Sequence, residues 1–244
     1  MTVRQRLLAI LAAPTSPHET RGASVVRPVV FGVTDGIVTN LSLIMGVAGA
    51  ASEDPHAVII AGVAGLLAGS LSMAIGEYVS VRSQRELLDY QIELQQRQFD
   101  ETPEQERAIL QAIYEAKGLS PAEANLVVDR VFANPAQALD TFVREEIGLS
   151  EKTMGSPITA GLGSLVAFAT GALFPLIPYL ILTSGVAFPI SLASSLLALF
   201  AVGVGVSRLT HRHPVRTGLR QAALGALAAT VTYGIGLALG SAVR

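Results

Sequence analysis

Five stretches of the chain are apolar for about 20 residues or more, the length a helix needs to cross a bilayer. They fall roughly at 28–51, 57–81, 157–182, 187–209 and 217–243. Polar punctuation separates them. The links at 52–56 and 183–186 contain no Lys or Arg. The opposite side is basic. Arg4, Arg6, Arg21 and Arg27 precede the first stretch, and Arg208, Arg212, Arg216 and Arg220 bracket the link between the fourth and fifth. The positive-inside bias therefore predicts a cytoplasmic N-terminus, a cytoplasmic 209–216 link and, after five spans, a C-terminus outside.

Between spans two and three the pattern changes to that of a polar helical insert, 82–156. It carries fourteen acidic and eight basic side chains. No helix breaker occurs between Arg82 and Phe99, so span two is expected to continue as one helix beyond the membrane. Thr102-Pro103-Glu104-Gln105 predicts a helix start with Pro at the first position and Gln placed for a capping box. Gly118 predicts its end. Ser120-Pro121-Ala122-Glu123 predicts a second start, and Asn134-Pro135 a third helix closed by Gly148. No strand pattern and no internal repeat is evident. The expected class is an all-α polytopic membrane protein. It comprises an N-terminal arm (1–27), helices one and two (28–81), the acidic insert (82–156) and helices three to five (157–244).

Composition sharpens this. Half of the 244 residues are hydrophobic and 15% are charged, against about 25% charged in soluble domains. The mean hydropathy is +0.50. With no cysteine, a metal would need oxygen, imidazole or thioether ligands. A net charge of −2 argues against bulk nucleic-acid binding. The first 25 residues lack a signal-peptide pattern and read as an amphipathic arm. No nucleophile–base pair, phosphate loop or cofactor motif points to an enzyme, and no cofactor is implied. Of the basic residues only Lys117 and Lys152 are lysines, a bias of GC-rich bacterial genomes that suggests a plasma (inner) membrane.

A few polar groups interrupt the apolar spans. Asp35 is about seven residues into span one, roughly 10 Å deep at 1.5 Å per residue. Intramembrane acids are costly and functional by default. Thr39 and Ser42 continue its face, with Asn40 beside it. On the antiparallel span two, Met73 is expected at a similar depth, and Glu77 lies one turn nearer the cytoplasm on the same face. Gly62, Gly65, Gly69 and Gly76 allow close helix approach. A carboxylate with a thioether suits a borderline ion such as Fe²⁺ better than Mg²⁺ or Ca²⁺. Because a carboxylate also titrates, proton and metal would compete for it. His211 and His213, set among arginines, read as an interfacial loop. His56, near Glu53 and Asp54, is a weaker metal candidate.

The segments VVFGVTDGIVTNLSLIMGVAGA (29–50), SLSMAIGEYVSVRSQRE (70–86), EEIGLS (145–150) and SPITAGLGSLVAFATGALFPLIPYLI (156–181) resemble the vacuolar iron transporter family, of the calcium-cross-complementing type. The resemblance covers the chain from Arg27 onward. It implies five spans, a homodimer, and exchange of cytosolic Fe²⁺, often also Mn²⁺, for protons along a dimer-interface path lined by spans one and two. Asp35 and Met73 match the family's intramembrane carboxylate and methionine, and Glu77 the acid at the cytoplasmic mouth. Gly65 stands where relatives tend to have a polar residue lining the path. The insert resembles the family's metal-binding domain, with departures. Gln95 and Gln98 stand where the family has glutamates. Glu106 remains a candidate metal ligand, but its i+3 partner is Ile109. Phe142 and Val143 replace a Met pair, and Glu146 is retained as a candidate ligand. Two alternatives stay open: a membrane-anchored metal-sensing or interaction protein that works through the insert, and a transporter of another divalent ion or solute.

Overall fold

A computed structural model describes residues 21–50, 54–134, 138, 139, 141, 155–182 and 184–242. Among them are seven α-helices and no strand. These are α1 (Arg21–Ala50), α2 (Pro55–Glu101), α3 (Pro103–Ala116), α4 (Pro121–Phe132), α5 (Pro157–Ile181), α6 (Ser184–Thr210) and α7 (Pro214–Ala242). Five of them, α1, α2, α5, α6 and α7, are long and apolar enough to cross a membrane. The chain is thus a multi-pass membrane protein. The helices run past the apolar limits read from sequence. The described part of the first begins at Arg21, and α2 starts at Pro55 because the Asp54 carboxylate accepts the His56 amide at 2.9 Å, a cap that places Pro at the first helical position. The 47 residues of α2 are one uninterrupted helix, as the lack of a breaker predicts.

The chain divides into two compact units. One comprises Gly22–Val79 and Ser156–Arg244, the five spans. Between apolar helices in lipid there is little hydrophobic drive, so close packing of small residues must hold the bundle. The N-terminal half of α1 crosses α5 at Gly32, Gly36 and Gly171. A methyl on Gly32 would come 2.7 Å from the Ala167 Cβ, and one on Gly36 would run into the Phe168 carbonyl. The C-terminal half of α1 crosses α7, where Gly49 meets Tyr233, and Gly236 and Gly240 meet the Gly46 and Ala50 carbonyls. Helices α6 and α7 close at Gly203 against Gly218. Hydrogen bonds add two cross-links between spans: Asn40 Nδ2 donates to the Ala172 carbonyl at 2.7 Å, and Ser191 Oγ to that of Pro175 at 2.6 Å. Half of the most apolar window of α5 is buried, but only 17% of that of α2. Helix α5 is therefore central, and α2 keeps a broad open face.

The other unit contains Ser80–Gly155. Its core is Ile109, Leu110, Ile113 and Val128. Each such side chain contributes about 1.5–3 kcal/mol on full burial, before entropy. Phe99 stacks on Phe132 at 5.3 Å. Arg107 pairs with Asp129 and lies over the Phe132 ring. The second predicted capping box forms in full. Ser120 Oγ accepts the Glu123 amide, and the Glu123 carboxylate accepts the Ser120 amide at 2.9 Å. The Ser120 hydroxyl and amide hold the Glu123 carboxyl below its ordinary pKa. The box predicted at Thr102 does not form. Helix α3 follows α2 directly, and the Thr102 hydroxyl instead donates to the Gln98 carbonyl in the last turn of α2, at 3.1 Å. Gly118 ends α3 as expected. Its φ of +101° suits glycine, and the Gly118 and Leu119 amides reach back to the Glu115 and Tyr114 carbonyls, a Schellman closure. The third insert helix, expected at 134–148, falls almost wholly outside the described residues, as does the N-terminal arm up to residue 20.

Candidate metal path

Three contacts fix how α1 and α2 run past each other. Methyls on Gly32, Gly65 and Gly62 would lie 3.5 Å from Met73 Cε, 2.9 Å from Asn40 Oδ1 and 3.1 Å from Ile44 Cδ1 respectively. The helices are therefore antiparallel, with Gly32 level with Met73 and Asn40 level with Gly65. On that register Ser70 is level with Asp35. Met73 lies three residues, about 4.5 Å of helix rise, toward the N-terminal end of α1. Glu77 lies a further turn in the same direction. Met73 is thus offset from Asp35 by about one turn along the axis.

Asp35 is half-buried, and Thr39 Oγ1 donates to its Oδ1 at 3.2 Å. Thr39 is exposed, whereas Ser42, Met73 and Glu77 are half-buried. The Asp35–Thr39–Ser42 edge of α1 therefore lies at the surface of the bundle. Asn40 differs. It is fully buried, its amide nitrogen is committed to α5, and its Oδ1, aimed at Gly65, has no partner among the described residues. It sits behind the edge that carries Asp35. The absence of a Cβ at Gly65 is what admits that carboxamide, because a methyl there would also collide with Leu43.

Sequence reasoning overlooked Ser70 and Gly32. Ser70 is buried and donates to the Leu66 carbonyl at 2.5 Å. Its signal was one of two hydroxyls, with Ser72, just before Met73. Gly32 lies against the Met73 methyl, while the lack of a side chain there is what lets Ala167 of α5 come close.

In the insert, Glu106 is 1% exposed and accepts from Gln95 Nε2 at 2.8 Å. Where the resemblance implies a glutamate at position 95 as well as at 106, an amide here donates to a carboxylate. Glu146 lies outside the described residues. Among the described residues no three His, Asp or Glu side chains converge. Among the described residues the Gln95–Glu106 contact pairs one amide with one carboxylate, a weaker anionic donor pair for Fe²⁺ or Mn²⁺ than two carboxylates. Restoring the second carboxylate tests this. Gln95→Glu should raise Mn²⁺ affinity of the full-length protein by about tenfold or more at neutral pH, since two buried like charges need a cation or proton between them. Titration calorimetry on both forms checks it. Equal affinities would show that this pair has no latent metal site.

The comparisons with known proteins point one way. The sequence pattern of the VIT family matches residues 26–237. A protein of Oryza sativa subsp. japonica named vacuolar iron transporter 1 is 33% identical over 240 residues, covering 96% of this chain and 94% of its own. Vacuolar iron transporter 1 of Arabidopsis thaliana is 29% identical, covering 90% and 87%. The vacuolar iron transporter of Acanthamoeba castellanii is 35% identical, covering 86% and 77%.

Proposed function

The chain belongs to the VIT family, and from that premise we propose that it exports Fe²⁺, Mn²⁺ or both from the cytoplasm in exchange for protons, as a homodimer. The observation that carries this reading is Asp35: a half-buried carboxylate, held by Thr39, on an open edge of a membrane-spanning helix, one turn from the Met73 thioether. An anionic group facing hydrocarbon costs a few kcal/mol or more. A second copy laid against this edge removes that exposure and encloses a path. Glu77 receives the cation at the cytoplasmic mouth, Asp35 and Met73 bind it, and Thr39 orients the carboxylate. Asn40 pins α1 to α5 behind them. A proton arriving from the acidic side neutralises Asp35 and releases the metal. Deprotonation on the cytoplasmic side resets it. The arginine distribution supports a cytoplasmic N-terminus, and the lysine-poor composition a bacterial plasma membrane.

Two experiments bear on this. In proteoliposomes with an acidic lumen, protein whose cytoplasmic face points outward should accumulate Fe²⁺ or Mn²⁺, and a protonophore should stop it. Uptake indifferent to the pH gradient would exclude exchange. For the dimer, the open face of α2 presents Ala64, Ala68, Ser72, Gly76 and Ser80 at four-residue spacing, all exposed. This is the small-residue ladder that close helix pairs use. A methyl on Gly76 meets nothing within 4 Å in one protomer. Gly76→Leu should therefore leave the melting temperature of the monomer unchanged and weaken dimerisation by about tenfold or more, measured by light scattering in detergent. An unaltered dimer would place the seam elsewhere.

A further inference from the structure

Beyond the metal path, the α6–α7 turn carries a cluster of cations that the bundle does not neutralise. Arg208 ends α6, Arg212 lies in the turn, and Arg216 and Arg220 follow on α7. All four are exposed. From Pro157 to Arg244 the sequence contains no Asp or Glu. Among the described residues none of the four forms an ion pair. A topogenic signal needs only positive charge near the turn, yet Arg216 and Arg220 lie within α7 and Arg208 in the last turn of α6. Thr217, Gly218 and Gly225 turn inward, Gly218 against Phe200 and Gly225 against Leu199. Arg216 and Arg220, one turn apart, therefore share the outward face. Exposed Val215 and Leu219 flank the two arginines, and beyond Arg220 that face carries no further charge, with Ala223, Leu224 and Leu227 all exposed. Such a loss of charge within one turn marks the level where headgroups give way to acyl chains. A guanidinium held there needs an anion, and its planar fork matches phosphate oxygens two at a time.

We propose that Arg216 and Arg220, assisted by Arg208 and Arg212, form a docking site for the phosphate headgroup of an anionic phospholipid, whose acyl chain lies along Leu224 and Leu227. The site is independent of what is transported. The test uses the full chain in phosphatidylcholine vesicles doped with spin-labelled phosphatidylglycerol or, separately, spin-labelled phosphatidylcholine. The wild type should immobilise the anionic label preferentially, and added salt should reduce that preference. Arg216→Gln with Arg220→Gln should lower it by roughly fivefold per arginine, with the zwitterionic label unaffected. Arg216→Lys with Arg220→Lys should retain only part of it, since the charge stays while the two-point fork is lost, which separates charge from folding. A preference that is insensitive to salt in the wild type, or unchanged in the Gln variant, would overturn the proposal. So would displacement of the label by millimolar-range inorganic phosphate, which would make the cluster a soluble-anion site.

Discussion

Asp35→Asn is expected to lower Fe²⁺ and Mn²⁺ flux by about 10- to 100-fold in the reconstituted assay, while melting temperature and dimer remain those of the wild type. The carboxamide keeps the shape of the side chain, and its oxygen can still accept from Thr39 Oγ1, now 3.2 Å from Oδ1. It loses the negative charge. A charged partner in such a contact is worth about 1.5–3 kcal/mol, which converts to that range in affinity. It also cannot bind and release a proton, so any residual flux should no longer respond to the pH gradient. Met73→Ala should cost less and should cost iron more than manganese, because the softer thioether contributes more to the ion higher in the affinity series. Normal, gradient-dependent flux in both variants would remove the site.

Most of the architecture was legible because its signals are local. Five apolar runs gave five helices, and Gly118, Ser120 and Glu123 gave an end and a start that form as read. The failed box at Thr102 shows the limit. Its hydroxyl had two acceptable uses, and the choice depended on how closely α2 abuts α3, which no propensity encodes. The candidate site divides the same way. An acid inside an apolar span identifies Asp35 without any structure. The one-turn offset of Met73, the burial of Asn40 and the enclosure of Glu106 by Gln95 are set by helix register and packing. Polar type alone placed Asn40 and Thr39 together on the path. The fold separates them, sending one inward to a carbonyl and leaving the other exposed.

The register itself rests on glycine, and its removal should have the largest effect on stability. Gly36→Leu or Gly171→Leu is expected to destabilise the bundle by about 3 kcal/mol or more, at the upper end of overpacking costs. The obstacle on each side is backbone, the Phe168 carbonyl for Gly36 and the Val33 carbonyl for Gly171, and a helix backbone cannot rotate away as a flexible side chain can. The two helices would have to separate, breaking the Asn40–Ala172 hydrogen bond and uncovering Phe168. Gly163→Ala and Gly205→Ala are the matched controls. Nothing lies within 4 Å of a methyl at either position, and helix propensity favours Ala by about 1 kcal/mol, so their melting temperatures should hold or rise slightly. Thermal unfolding in detergent distinguishes the four variants. If Gly36→Leu melted like the controls, α1 and α5 would not cross as closely as described, and the orientation of Asp35, one residue away on the same helix, would lose its support. The contrast with Asp35→Asn separates the two roles: one substitution depresses transport in a stable protein, and the other lowers transport only by loosening the helix that aims the carboxylate.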